Sequence, residues 1–458
     1  MTEQAQVSVI ILAAGQGTRM KSKMPKVLHP IGGKPLLAHV INTAKDLHAQ
    51  QTVVVYGHGG ELVKDTLSDE PVTWVEQKEQ LGTGHAVDQA TPKINDDHII
   101  LVLYGDVPLI KASTLSELIS KTAGNALAIL TVVLDEPQGY GRIVRDTSGA
   151  IQRIVEQKDA SEGELTINEI NTGILAVQGK LLKSWLSKLE NNNAQGEYYL
   201  TDIIAMAVAD GVTVNAAQPA GEDEVLGVNS RSQLAYLERS YQRDQAELLM
   251  AQGVTVIDPS RLEVRGAVKT GKDVTLDVNV VLEGHVEIAD DVYIGPNCII
   301  RDSVIGAGVQ IQAMCVIDNA MVGEKCLIGP YSRLRPGAEL KGGNHIGNFV
   351  EVKNSVIGQG SKVNHLTYIG DTDMGAGVNI GAGTITANYD GANKHRTAIG
   401  DNASTGSNSV LVAPVCLGEK ATLGAGTVLT KDAPNGKLTV ARTRQITIDG
   451  WHRPVKKK

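Results

Sequence analysis

Phenylalanine is nearly missing from this chain: one Phe, three Trp and eleven Tyr make aromatic residues 3% of 458. Ordinary cores lean on aromatic bulk, so this interior has to be filled by Val, Ile, Leu and Ala. Cysteine is also scarce. Cys298, Cys315, Cys326 and Cys416 show no CxxC spacing, which argues against a disulfide framework or a zinc knuckle and for buried packing. No apolar stretch approaches the roughly 20 residues of a membrane span. The longest early run, Val7 to Ala14, has no basic segment with a cleavable apolar stretch before it, so a cytoplasmic location is expected. Positive charge is in deficit as well, since 43 Lys and Arg against 51 Asp and Glu leave -8. That excludes a global basic field for nucleic acid or an anionic membrane.

Glycine, by contrast, is plentiful at 49 residues. Hydrophobic residues at 42% and charged ones at 21% exclude a disordered chain and supply a sizeable core. The length exceeds one compact domain, and two kinds of pattern divide it. Over residues 1–229, strand-like runs (VSVIILAAG, TVVVYGH, HIILVLYGD, ALAILTVVL) alternate with helical stretches such as PLLAHVINTAKDL. This predicts an α/β domain with a mostly parallel, Rossmann-like sheet and ligands at the carboxyl ends of its strands. Residues 230–252 read as a helical linker with Leu234, Leu237, Tyr241 and Leu248 on one face.

Over residues 253–458 a six-residue beat takes over. Leu276, Leu282, Ile288, Ile294 and Ile300 are six apart, and the beat returns from Ile399 through Thr405, Leu411, Leu417 and Leu423 to Leu429. A second lane two residues earlier holds Val274, Val280, Val286, Val292 and Cys298. Hexapeptide periodicity predicts a parallel β-helix, with three six-residue faces per coil and about nine coils over residues 266–437. Large aromatics do not fit so narrow a prism. The beat slips at Ile305 and between Thr386 and Ala398, which predicts projecting loops there. Thr405 stands where a more apolar residue is usual, which puts the packing near Ser407 in question.

After the first strand comes Leu12-Ala13-Ala14-Gly15-Gln16-Gly17-Thr18-Arg19, then Pro25-Lys26. Two glycines let the backbone approach phosphates, and Arg19 and Lys26 can neutralise them. The spacing is neither a Walker A loop nor a GxGxxG fingerprint. The LxxGxGTRxxxxxPK pattern resembles the sugar-1-phosphate nucleotidyltransferases. Gln77, with Gly82 and Thr83 in the Leu81–Gly84 loop, resembles that family's base and sugar loop, and Tyr104-Gly105-Asp106 ends a strand where a carboxylate can hold Mg²⁺. Later matching segments contain Gly141, Glu156, Asn171 and Asn229. The resemblance implies that Gly141, Glu156 and Asn171 contact sugar and that Asn229 joins Asp106 at the metal. In such chemistry the phosphate oxygen is already a nucleophile, so positioning and charge neutralisation suffice.

The second half carries Arg333-Leu334-Arg335-Pro336-Gly337, Gly347-Asn348-Phe349-Val350-Glu351-Val352-Lys353, Asn364-His365-Leu366-Thr367-Tyr368 and Asn388-Tyr389-Asp390-Gly391. A GxGTR nucleotidyltransferase followed by a hexapeptide prism is similar to the bacterial bifunctional enzymes that acetylate glucosamine-1-phosphate and uridylylate N-acetylglucosamine-1-phosphate. That resemblance covers nearly the whole chain, including the Trp451–Lys456 tail. It implies a left-handed β-helix, a homotrimer with acetyl sites shared between chains, and supply of peptidoglycan and lipopolysaccharide precursors. Its substrates would be glucosamine-1-phosphate, acetyl-CoA and UTP. Acetylating an amino sugar requires a neutral amine, and an imidazole can take its proton; His365 is the candidate base. Arg335 and Lys353 suit a sugar phosphate, and Tyr368 and Asn379 its hydroxyls and phosphate. The resemblance carries over Ala382, Asn388, Tyr389, Ser407, Ala425 and Arg442 as acetyl-CoA contacts; Lys394 fits CoA phosphates or plain solvent. Two other readings stay open: a single-activity nucleotidyltransferase with a structural or regulatory prism, and a non-catalytic assembly subunit.

Overall fold

The structure, a computed structural model, describes residues 6–15, 17–57 and 60–456; Gln16 of the glycine-rich turn and His58 of the second strand run lie outside the described residues. The chain divides into two compact units between Tyr241 and Gln242. The division falls inside one helix, Arg231–Ala251, and not at its ends. Leu237 packs into the core of the first unit, whereas Ala246 and Leu249 join the core of the second. Leu248, expected on the apolar face, is exposed, because the buried stripe of the helix's later turns runs through Ala246 and Leu249.

In the first unit the strand order is Val214–Ala217, Leu127–Val133, Glu169–Gln178, Ile99–Tyr104, Val7–Ala13, Gln51–Tyr56, Thr73–Glu76. Pairing is parallel except for Glu169–Gln178, which runs antiparallel to both its neighbours. Val7–Ala13 is buried at all seven positions, as a strand covered on both faces must be. Helix Leu36–Asp46 covers the sheet with Leu37, Val40, Ile41 and Ala44, apolar positions three and four apart. In-register pairing of Ala13 with Tyr56 and of Leu12 with Tyr104 brings three strand ends to one edge. The glycine turn, Gly57 and Gly105-Asp106 therefore leave the sheet side by side.

The second unit is a parallel β-helix. One face is an eleven-stranded sheet with one strand per coil, and the other two faces merge into a seventeen-stranded sheet. The beat marked about nine coils; the additional ones begin near Thr255 and end near Leu438, beyond the regular repeat. Val281 pairs with Ile299 eighteen residues on, the step then shortens to seventeen at Glu287–Val304, and Thr372 pairs with Thr397 twenty-five residues on. Both slips in the beat are thus real. The longer one extrudes a loop closed by a Tyr389–Lys394 bridge.

Every residue of the two aliphatic lanes is buried, stacked on its counterpart one coil away. Thr405 is buried too. Its hydroxyl accepts from the Gly381 amide at 2.9 Å and meets Thr384 Oγ1 at 3.0 Å, so the polar atom inside the prism is satisfied. Cys298, Cys315 and Cys326 are interior, as expected, but Cys416 is exposed, because strand alternation turns it outward between Val415 and Leu417. Ile317→Ala, deep in the prism, is expected to lower unfolding free energy by about 2–5 kcal/mol. Val304→Ala on the outer surface should change it by less than about 0.5 kcal/mol; urea denaturation of both variants measures the contrast.

Two candidate active sites, one in each unit

At the carboxyl edge of the first sheet lies a cavity of about 230 Å³. Ten of the residues expected from sequence line it: Leu12, Ala13, Ala14, Gly15, Lys26, Gln77, Gly82, Thr83, Tyr104 and Asp106. Val27, Gln80, Ala86 and Glu197 complete it. Gly82 has φ 112°, and a Cβ there would sit 2.6 Å from the Tyr198 carbonyl oxygen, so only glycine lets this loop close on its neighbour. Gly105 packs beneath the loop: its amide donates to Leu12 O at 2.9 Å, and a Cβ would meet Leu37 at 3.1 Å. Arg19 is exposed and is not among the residues that line this cavity.

The expected sugar residues adjoin this cavity. The Asn171 amide donates to Gly141 O at 2.9 Å, and Glu156 Oε1 accepts from Thr201 Oγ1 at 3.1 Å. The register irregularity between Asn171 and Leu175 carries Gly173, φ 85°, against the ring of Tyr104; a Cβ would lie 2.5 Å from that ring. Burial raises the Tyr104 phenol well above its ordinary value, with Glu156 and Asp106 adding to the effect. Glu156 itself is raised, first by burial and then by Asp202, Asp159 and Glu197.

Lys26 Nζ pairs with Asp106 and donates to Asn229 Oδ1 at 3.0 Å. A carboxylate and a carboxamide oxygen thus converge on one positive charge. Hard oxygen donors in this arrangement suit Mg²⁺. On the other side of the glycine turn, a second cavity of about 520 Å³ shares Ala13, Ala14, Gly15 and Gln80 with the first. Lys23 and Lys78 line it without a carboxylate.

In the second unit the expected residues fall into two groups. Arg335, Lys353, Tyr368 and Asn388 belong to one. Lys353 Nζ lies 3.6 Å from Asp371, whose other oxygen accepts from Asn354 at 2.5 Å. Asn388 donates to Asp371 and reaches Tyr368 OH at 3.4 Å. Arg335 pairs with Glu351 at 2.8 Å. Burial alone would raise the Asp371 carboxyl, but Asn354, Asn388, Lys353 and Lys394 together hold it below the usual carboxylate range. Lys353 in turn lowers the Lys394 ammonium. Tyr389 is exposed on the extruded loop, and its hydroxyl donates to Gly391 O at 2.6 Å.

The other group runs along a corner of the prism. His365 ends strand Lys362–His365, is exposed, and places Nδ1 3.2 Å from Asn348 Oδ1. With that oxygen accepting, the proton sits on Nδ1 and Nε2 keeps its lone pair for a substrate. Bonds from Gly383 to His365, Asn408 to Ala382, Gly426 to Ser407 and Arg442 to Ala425 step down one coil at a time. His365, Ala382, Ser407, Ala425 and Arg442 therefore form one column. Asn379 stands on the same face, between Lys362 and Ser404, away from Tyr368.

Glu197, Thr201 and Lys78 escaped the sequence reading because loops far apart in the chain bring them in, whereas Lys23 and Asp371 lie close in sequence to Lys26 and Tyr368 but outside the motif positions. A carboxylate following Tyr368-Ile369-Gly370 is the one signal that pointed to Asp371. The raised Glu156 gives a test of sign. The folded protein holds this proton more tightly than the unfolded chain, so stability falls as pH rises from the ordinary carboxylate range through the raised value, then levels. Glu156→Gln removes the penalty: the variant should match wild type below about pH 4 and be the more stable at neutral pH. Thermal unfolding across that range checks it.

Residues 9–167 match the family described as the MobA-like NTP transferase domain, and residues 264–340 match the GMPPB C-terminal domain. The bifunctional protein GlmU of Aromatoleum aromaticum is 58% identical over 452 residues, covering 99% of each chain. Those of Azoarcus sp. and Ralstonia pickettii are 56% and 57% identical over 452 residues, covering 99% of this chain and 100% and 99% of theirs. A likeness of this extent spans both units and both clusters of site residues, and on that ground the chain belongs to the family of bifunctional GlmU proteins.

Proposed function

We propose that this chain makes UDP-N-acetylglucosamine in two steps. In the second unit the amine of glucosamine-1-phosphate attacks the thioester carbonyl of acetyl-CoA; the C–N bond forms and the C–S bond breaks, while His365 Nε2 takes the amine proton and passes it to the departing sulfur, so that CoA leaves as its thiol. In the first unit a phosphate oxygen of N-acetylglucosamine-1-phosphate attacks the α-phosphorus of UTP and pyrophosphate departs. Lys26 lowers the repulsion between the two anions, and the Gly15 backbone lies open to phosphate. Lys23 and Lys78 stand where the triphosphate tail would continue past Gly15. Arg19, outside the lining of the first cavity, would serve there by folding toward it. The observation that carries this reading is the full-length match to bifunctional relatives with both residue clusters in place. That match favours two activities over a single nucleotidyltransferase with a passive prism.

Nucleotidyl transfer in this family is metal-dependent, and Mg²⁺ is assigned to Asp106 and Asn229 on the chemistry of their oxygens. Bound there, it would screen the phosphates and stabilise departing pyrophosphate. The product feeds cell-wall precursor synthesis. No helix among the described residues is long and apolar enough to cross a membrane. A cytoplasmic location, where nucleotide and thioester substrates reside, agrees with that and with the -8 charge.

The quaternary proposal is a homotrimer. Met314, Tyr331, Phe349 and Leu366 occupy one corner in four successive coils, all with φ between 48° and 62°, and are 43–65% exposed. The same corner carries Asn279, Asn297 and Asn408 in other coils, residues that tolerate this conformation. Each bulky side chain there costs on the order of 1 kcal/mol in backbone strain, which burial against another chain, worth about 1.5–3 kcal/mol apiece, would offset. Tyr331 and Phe349 already stack at 5.3 Å. A neighbouring prism would also supply the Lys353 group to the His365 column, which one chain keeps apart.

Two outcomes test these assignments. Asp106→Ala should abolish uridylyl transfer and spare acetylation, and His365→Ala should lower acetylation by about 10²-fold or more with uridylyl transfer intact; separate assays of pyrophosphate and CoA release decide. Tyr331→Asn with Phe349→Asn should have opposite effects on fold and assembly: backbone strain is relieved, yet sedimentation moves from trimer toward monomer and acetylation is lost.

A further inference from the structure

Gln77 lines the nucleotide cavity yet is only 2% exposed. Its Nε2 donates to Gly82 O at 3.2 Å and meets His85 Nδ1 at 3.1 Å. A peptide carbonyl can only accept, so the Gly82 contact settles which end of the Gln77 amide is nitrogen. His85 Nδ1 must then accept, which makes the ring neutral with its proton on Nε2. Both Nε2 hydrogens of Gln77 are engaged. Its Oε1 has no partner among the described residues and is not sealed from the cavity.

An acceptor held this way matches a base edge bearing an N–H, as uracil does at N3. Cytosine presents a bare N3 at that edge and would set two lone pairs face to face. If the amide turned over, its NH₂ would face the base and the preference would reverse. Gly82 alone pins one hydrogen; His85 pins the second. We propose that His85 is a positioning residue for base choice: by accepting from Gln77 it holds the amide with oxygen toward the base, and so selects uracil over cytosine. This rests on the reading that the first unit binds UTP. His85 lies beside Tyr198, ring centroids 6.5 Å apart, so packing is the competing role.

Two substitutions separate the roles. His85→Phe keeps an aromatic ring beside Tyr198 and removes the acceptor, whereas His85→Asn gives up the ring but places an oxygen acceptor where Nδ1 stands. The full-length protein is assayed with N-acetylglucosamine-1-phosphate, Mg²⁺ and competing UTP and CTP, and the ratio of the two kcat/KM values is read. His85→Phe, or His85→Leu if the larger ring prevents folding, should lower the UTP-to-CTP ratio about tenfold, with the loss confined to selectivity. His85→Asn should recover most of it. An unchanged ratio in the acceptor-free variant, or a fall as large in His85→Asn, overturns the proposal. A wild-type protein that turns over neither nucleotide overturns the uridylyl-transfer reading itself.

Discussion

Parallel strand pairing in register is the constraint on which both sites depend. In the first unit it aligns Ala13, Tyr56 and Tyr104 at one edge, so the turn after Ala13 lines one cavity with Tyr104 and Asp106 and a second with Gly57 and Gly60. In the second it stacks coil on coil, so residues seventeen or eighteen apart become neighbours and each corner becomes a column. A slip of one residue would turn every stacked side chain to the wrong face. The aliphatic lanes prevent this, because the interior Val, Ile and Leu side chains stack on counterparts in adjacent coils.

Within that frame the two sites handle charge differently. The nucleotide site mixes cations with carboxylates: Lys26 sits between Asp106 and Asn229, while Glu156 is pushed toward its neutral form by burial and three acidic neighbours. The candidate acetyl site instead holds a buried carboxylate, Asp371, kept ionised among two amides and two ammoniums. There it fixes Asn388 and Lys353, the first expected to meet acetyl-CoA and the second the sugar phosphate. Groups that shift in opposite directions for identifiable reasons mark sites in which environment, more than residue type, sets the chemistry.

Much of this was legible in the chain order of residues. Alternation of strand runs and helices foretold the first sheet, and the six-residue beat foretold the prism down to its two slips, the second of which is the extruded loop at Tyr389–Lys394. Local patterns of that kind are written in periodicity, which neighbours in sequence control. The antiparallel strand Glu169–Gln178 was not foreseen, because direction depends on which edge a strand joins. Nor was the placement of Arg19 outside the cavity, since a motif states spacing and not the direction a side chain takes.

By itself, then, the sequence determined the architecture of each unit, the glycine-rich turn and the choice of His365 as candidate base, because each rests on short-range pattern or on a motif of fixed spacing. Tertiary structure alone decided that Glu197 lines the first cavity and Thr201 bonds Glu156, that Asp371 gathers Asn388, Asn354 and Lys353, and that four apolar side chains line one corner in a strained conformation. These facts depend on contacts between segments far apart in the chain, or on how many residues each coil contains. Only the folded backbone counts those.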